Sequence, residues 1–384
     1  MKKQQAALAI GAVALVCLVL AMATRAEAIP YFARKFDTGC QTCHSVVPKL
    51  NQTGMDFRAR GYRLPGFAQK GTVPIAAWVA ARYENRTDAG VDKVFVDKVE
   101  MISGGQIGSR ASYFAEWRAV SLGLQNNGEL DDRSGRFEDL FVNFDLGPQT
   151  TLTAGQFRHF QQFDASLRLS ESTPVALDAS VSGERQPGDS SRQAGLRGFS
   201  PAGRSPSIMV THRIPSARAG AHFSDGWYLH GSVPFPGELS IPLTDEARET
   251  ASFELDGRVK GLVTEAYLRR GLSSVGGHAF LGRDNQLYTG LVSYDPGRWN
   301  STLAIGAGVV DGDADRRLSW WSEYQPMWGI NLGFRIDETS FSATRYHLYG
   351  DVQLPIERAL LWLLIEQTIR DNDNRTIFQL NGVF

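Results

Sequence analysis

The sequence predicts an all-β fold, an antiparallel transmembrane outer-membrane β-barrel of about 14–16 strands with a small N-terminal helical segment in front of it. Three observations carry this expectation. After about residue 71, stretches of roughly ten residues alternate apolar and polar at period two, as strands with one lipid face and one watery face do. Arg82, Arg118, Arg158, Glu265, Arg335 and Arg345 fall inside those stretches, where a dry sandwich core excludes charge and a wet lumen does not. The chain also ends on Phe384, with Leu380 and Phe378 at alternate positions before it, which suits a closing strand.

In chain order, residues 1–28 read as a secretory signal peptide. Lys2 and Lys3 precede an apolar run from about Ala6 to Ala23, and Ala26-Glu27-Ala28 supplies a small-residue cleavage site. The run is long enough to serve as a retained anchor, but the well-placed cleavage site favours removal. Cys17 leaves with it, so the mature chain keeps Cys40 and Cys43. One pair of cysteines three positions apart is no disulfide scaffold, and a chain of this length needs none. A formal net charge of −1 argues against nucleic acid as a partner.

Residues 29–70 form a compact segment around Cys40-x-x-Cys43-His44, the attachment signature of haem c. Two thiols at this spacing reach the two vinyl groups on one porphyrin edge, and the next histidine turns its imidazole to the iron. A thioredoxin-like pair needs a βαβ context, and a zinc site needs two further ligands; neither surrounds this motif. The expected cofactor is one covalent haem c on Cys40 and Cys43, with His44 as a metal ligand. Met55, on a short helix from about Pro48 to Arg60, is a candidate sixth ligand. Met101, Met209, Met327 and the histidines at 159, 212, 222, 230, 278 and 347 are alternatives, as is an open position. Phe32, Phe36 and Phe57 pack either around the ring or as plain core. "LPGFAQKGTVP" at 64–74 reads as a linker.

The barrel is expected over 71–384. In "RFEDLFVNFDLG", Leu140, Val142, Phe144 and Leu146 share one face, with Asp139, Asn143 and Asp145 on the other. Further strands are expected within 75–83, 111–120, 151–160, 257–271, 286–295, 301–310, 329–337, 339–350, 358–369 and 375–384. Turn clusters such as "QNNGELDDRSG", "GDADRR" and "DNDN" separate them. Tyr113, Trp117, Trp299, Trp320, Trp321, Trp328, Tyr346, Tyr349 and Trp362 are candidate interfacial aromatics. The Ser-, Gly- and Pro-rich stretch around 160–255 predicts long loops, either solvated or folded into the lumen, with short strands at "SIMVTHRI" and "GWYLHGSV" between them. The acidic runs "ELDD" and "DGDAD" read as solvated turns, with capture of Fe²⁺ as the alternative.

"IPYFARKFDTGCQTCH" and "PKLNQTGMDFRARGYR", followed by a barrel, resemble the monohaem cytochrome–porin fusions of bacterial outer membranes, which include the iron-oxidising outer-membrane cytochrome. The likeness is specific over residues 29–63 and architectural beyond them. It implies electron transfer across the outer membrane through a haem lodged in a porin-like barrel, with oxidation of extracellular Fe(II) for some members. It makes Cys40 and Cys43 the thioether residues and His44 the iron ligand. An external donor or acceptor, a periplasmic c-type cytochrome and the lipid bilayer are the implied partners, and the chain is an enzyme only as an electron-transfer oxidoreductase. Outward electron flow, a haem-plugged solute porin and a soluble periplasmic cytochrome with a large β domain are the rival readings.

Overall fold

The computed structural model describes residues 31–384 apart from 67–73, 88–89, 126–127, 160, 163–168, 170–172, 178–203, 236–260, 283–285, 311–312, 341, 357–358 and 371–372. The expected signal peptide and most of the expected linker therefore lie outside the described residues. Two short helices, α1 (Tyr31–Phe36) and α2 (Gln52–Ala59), flank a small hairpin of β1 (His44–Val46) and β2 (Lys49–Leu50).

The barrel follows, beginning with β3 (Ala76–Arg86), β4 (Val91–Ile107), β5 (Ala111–Leu124), the three-residue β6 (Leu130–Asp132), β7 (Arg136–Asp145) and β8 (Thr150–Arg158). Next come β9 (Arg204–Pro215), β10 (Gly226–Pro234), β11 (Gly261–Arg270), β12 (Ser273–Gly282), β13 (Gln286–Tyr294) and β14 (Trp299–Val310). β15 (Asp313–Met327), β16 (Ile330–Thr339), β17 (Ser342–Ile356), β18 (Ala359–Arg370) and β19 (Asp373–Val383) complete it. β6 pairs only with β5, which also pairs with β7, so the closed antiparallel wall has sixteen strands among the described residues. Closure joins β19 to β3 with Phe378 opposite Tyr83, and Ala77 and Phe384 exchange backbone hydrogen bonds of 3.1 and 2.9 Å. No strand of this wall is left with an unpaired edge, the condition for placing β structure in lipid.

The period-two pattern sorts the faces as expected. Along β13, Tyr288, Val292 and Tyr294 are about half exposed on the outside, while Leu287, Thr289 and Leu291 are buried inside. Val94, Ile208, Val275, Ile305, Leu332 and Leu348 continue the outer apolar surface on other strands. Replacing Ile305, midway along β14, with arginine is expected to destabilise the barrel by about 2–4 kcal/mol. Urea unfolding of the vesicle-inserted protein measures it.

Several local expectations change. "SIMVTHRI" and "GWYLHGSV" are strands, as expected, and lie within the longer wall strands β9 and β10. β4 escaped the alternation because a bulge opposite Ala80 and Ala81 reverses its parity: Val94 and Val96 point outward before it, Met101 after it. β15 begins inside the supposed turn "GDADRR". Of the candidate interfacial aromatics, Trp299, Trp320 and Tyr346 are exposed outside, but Trp321, Tyr349 and Trp362 are buried. The helical N-terminal domain is also corrected: among its described residues this segment holds two α-helices, of six and eight residues, and a three-residue 3-10 turn at Cys40–Thr42, and it folds against the barrel.

Candidate functional site: a plugged lumen

The long β8–β9 and β10–β11 connections leave from one end of the barrel, and the opposite end carries turns of at most ten residues. β11 ends at Arg270 and β12 starts at Ser273; β15 ends at Met327 and β16 starts at Ile330. Short turns are periplasmic in outer-membrane barrels, and here the N-terminal segment is bonded into this mouth on several sides. Val47 N donates to Gln353 Oε1 at 3.0 Å, and Gln353 Nε2 returns a bond to Val47 O at 2.6 Å. Lys49 Nζ lies 3.1 Å from Asp295. Across the opening, Asp56 accepts from Ser224 N at 2.9 Å, Arg60 stacks 3.8 Å over Phe223, and Arg63 pairs with Asp145 at 3.0 Å. Residues 31–66 are thus a plug.

The plug has its own aromatic core. Phe32 meets Phe57 at 4.9 Å and Tyr62 at 5.4 Å, and Phe36 meets Phe57 at 5.6 Å. From Tyr62 the rings continue up the wall through Phe114, Phe141 and Phe157 to His159, at centroid spacings of 5.6–6.0 Å. The three phenylalanines thus pack on one another through Phe57.

The cysteine motif sits at the hairpin of the plug. Cys40 packs on an apolar lumenal patch of Leu360, Trp362, Leu364 and Val383, with Val47, Trp78 and Trp328 at its margin. Such a patch is foreign to a polar porin interior. Neither thiol is in a disulfide, and burial pushes each up to about 11, opposite to the lowered thiol of a redox-active pair. His44 Nδ1 lies 3.2 Å from the Pro48 carbonyl; a carbonyl only accepts, so Nδ1 donates and Nε2 carries the lone pair. Burial lowers the imidazole to about 4 and keeps it neutral. A neutral histidine held through Nδ1, beside two protonated thiols, fits the donor set of a covalent haem. Met55 is buried on α2, one residue beyond Gly54, which abuts the Cys43 carbonyl.

Deeper in the lumen stand residues of the β8–β9 connection. Gln161 N and Gln162 N donate to the two carboxylate oxygens of Glu265 at 2.9 and 2.8 Å. Leu169 N donates to Glu323 Oε1 at 3.1 Å, and Ala176 N to Ser319 at 3.0 Å. This agrees with the lumen-filling reading of the middle region; 178–203 and 236–260 lie outside the described residues. His159 is 1 % exposed, held by Ser232 and Ser205 at 2.8 Å each, and burial lowers it to about 3. The unfolded state therefore takes up this proton below about 6.5 while the folded state resists it down to about 3, so the associated stability is complete above 6.5 and falls through that window. The His159→Gln variant is expected to lose less stability than the parent between pH 7 and 4, compared by urea midpoints.

The lumenal charges pair locally. Glu100, Glu116 and Glu138 bring carboxylate oxygens within 4.8 Å of one another, the one group among the described residues with metal-ligand spacing. Arg118 meets Glu100 at 2.6 Å, Arg204 meets Glu138 at 2.8 Å, and Lys98 meets Glu100 at 3.1 Å, so this charge is already compensated. Of the acidic runs, Asp131 pairs with Arg133, and Asp315 with Arg317. Arg82, Arg118, Glu265 and Arg335 face the lumen as expected, each with a charged or polar partner. The lumenal hub Glu323 was not anticipated; its place between "WWS" and "YQP" on one inward face was the available signal.

No family model and no curated protein matches the chain. Among solved structures it is similar to OmpF of Salmonella typhi, in a complex with daunomycin, at 10 % identity and TM-score 0.51, covering 81 % of this chain and 97 % of that one. It is equally similar to an anion-selective porin from Comamonas acidovorans, at 10 % identity and TM-score 0.51, covering 81 % and 98 %. These matches establish the fold, and the apolar outer surface agrees: the chain is an outer-membrane β-barrel. They also overturn the likeness to cytochrome–porin fusions. The matching architecture is that of solute porins, and no cluster of histidine and cysteine ligand atoms occurs among the described residues. The expectations of iron oxidation and electron transport that came with that likeness are withdrawn.

Proposed function

We propose that the protein is a porin-type channel of the outer membrane, closed at its periplasmic mouth by residues 31–66, with one haem c pinned in the plug as a structural element. The observation that carries this reading is the plug's attachment to well-separated strands, from Asp145 on β7 through Asp295 to Gln353 on β17. Cys40 and Cys43 would hold the haem through thioethers, with His44 and buried Met55 as its candidate ligands. The bound group would tie the two cysteines together and add apolar bulk to a plug whose Cys40 already packs on Leu360, Trp362 and Leu364.

Planar-bilayer recording of the full chain, paired with haem staining of a denaturing gel, tests both halves. Rare, brief openings and a haem band that vanishes in Cys43→Ala are the expected results. Steady conductance from the intact chain defeats the plug, and an unstained parent band defeats the haem alone.

A further inference from the structure

Two elements occupy the lumen, the plug and the described residues of the β8–β9 connection, and they meet each other as well as the wall. At the first joint, Glu323 is 3 % exposed and accepts from both: Lys49 Nζ of the plug at 3.5 Å and Leu169 N at 3.1 Å. The same carboxylate receives Asn300 Nδ2 at 2.8 Å and Tyr349 Oη at 3.1 Å. Val46 of the plug, Leu169 and Tyr349 close an apolar contact beside it. At the second joint, Arg58 of α2 bonds Gln161 Oε1, while the Gln161 and Gln162 amides rest on Glu265, also 3 % exposed. The line of rings from Tyr62 to His159 joins the same two elements a third time.

From this we infer that Glu323 and Glu265 are positioning residues that lock the plug and the lumenal residues Gln161, Gln162 and Leu169 into one closed unit, so that loosening the plug at one joint loosens the other. This regulation rests on the plugged-channel reading. The physical reason at the first joint is shared charge, and at the second it is a shared residue, Gln161, whose side chain takes Arg58 while its amide rests on Glu265. A carboxylate that serves two elements cannot lose its plug cation without being left buried and under-compensated, and it then rearranges or hydrates, releasing the amide it also holds. Independent elements would each have their own anchors.

Hydrogen exchange on the full chain in lipid nanodiscs reads the coupling without ion flow. Lys49→Met removes the plug's contribution to the first joint only. Faster exchange by about tenfold, the equivalent of one hydrogen bond to a charged group, is expected at Leu169 and also at Gln161 and Gln162 of the second joint. Arg63→Met breaks a plug-to-wall pair that involves neither joint and is expected to leave those three amides unchanged. Glu323→Gln, nearly the same size, repeats the measurement should Lys49→Met fail to fold. A change confined to Leu169, or an equal change in Arg63→Met, overturns the inference. A steadily conducting parent chain whose amides still respond together would defeat the closed-channel reading and leave the coupling standing.

Discussion

Gly54→Leu is expected to open the channel. A Cβ at this position would lie 2.1 Å from the Cys43 carbonyl oxygen and 3.0 Å from its carbon, with Leu50 Cδ2 at 2.9 Å. The first two are backbone atoms of the attachment motif, fixed further by Asn51 N donating to the same oxygen at 2.9 Å. The helix must therefore lift away. α2 carries Asp56 to Ser224 and Gln52 to the same serine at 2.8 Å, so lifting it breaks the plug's hold on the β9–β10 turn. Overpacking of this kind costs about 1–3 kcal/mol or more, which moves a closed-to-open equilibrium by roughly tenfold or beyond. Open probability in bilayer recordings, compared with Gly54→Ala and the parent, measures it: Leu and Ala should both open the channel, because the clash begins at Cβ. Parent-like recordings from both variants would show that α2 does not seal the mouth.

Arg335→Met is expected to weaken the barrel itself by about 3–5 kcal/mol, the usual consequence of removing one partner from a buried ion pair. Arg335 is 1 % exposed; its Nε lies 2.8 Å from Asp337, and its Nη2 lies 3.1 Å from His347 Nε2. His347 bridges Asp337 at 3.2 Å and Glu366 at 3.3 Å, so four groups on β16, β17 and β18 share one charge arrangement. Methionine keeps most of the volume and removes the cation, leaving two carboxylates around one imidazole. Arg133, paired with Asp131 but 40 % exposed, is the comparison: Arg133→Met should change stability by no more than about 1 kcal/mol. Urea unfolding of both variants in vesicles separates the two cases.

The barrel was legible because alternation survives in single strands. Leu140, Val142, Phe144 and Leu146 announce the outer face of β7 without help from neighbours. β4 was not, since one bulged residue, Asp97, reverses the parity that a reader follows. β12, with Gly276, Gly277 and His278 at its centre, offers too few large apolar residues for any pattern to emerge. At the site, spacing alone marked Cys40, Cys43 and His44 as a unit. It could not show that the motif lies within a barrel mouth, because that depends on contacts with residues some three hundred positions away. Trp362 illustrates the difficulty: its neighbours suggest a membrane-interface aromatic, and only strand register turns it inward, onto Cys40.

Those same distant contacts order the protein's assembly in time. The berth of Cys40 is built from β18 and β19, the last strands of the barrel in chain order, and from β3, which they meet only when the ring shuts. The Cys40 hairpin precedes every barrel strand in the chain, yet it has nowhere to settle until the final hairpin is in place. Contacts of such sequence separation form late. Until that hairpin closes, Cys40 lacks the apolar surface that buries it, and seating the plug is what takes the thiol out of solvent.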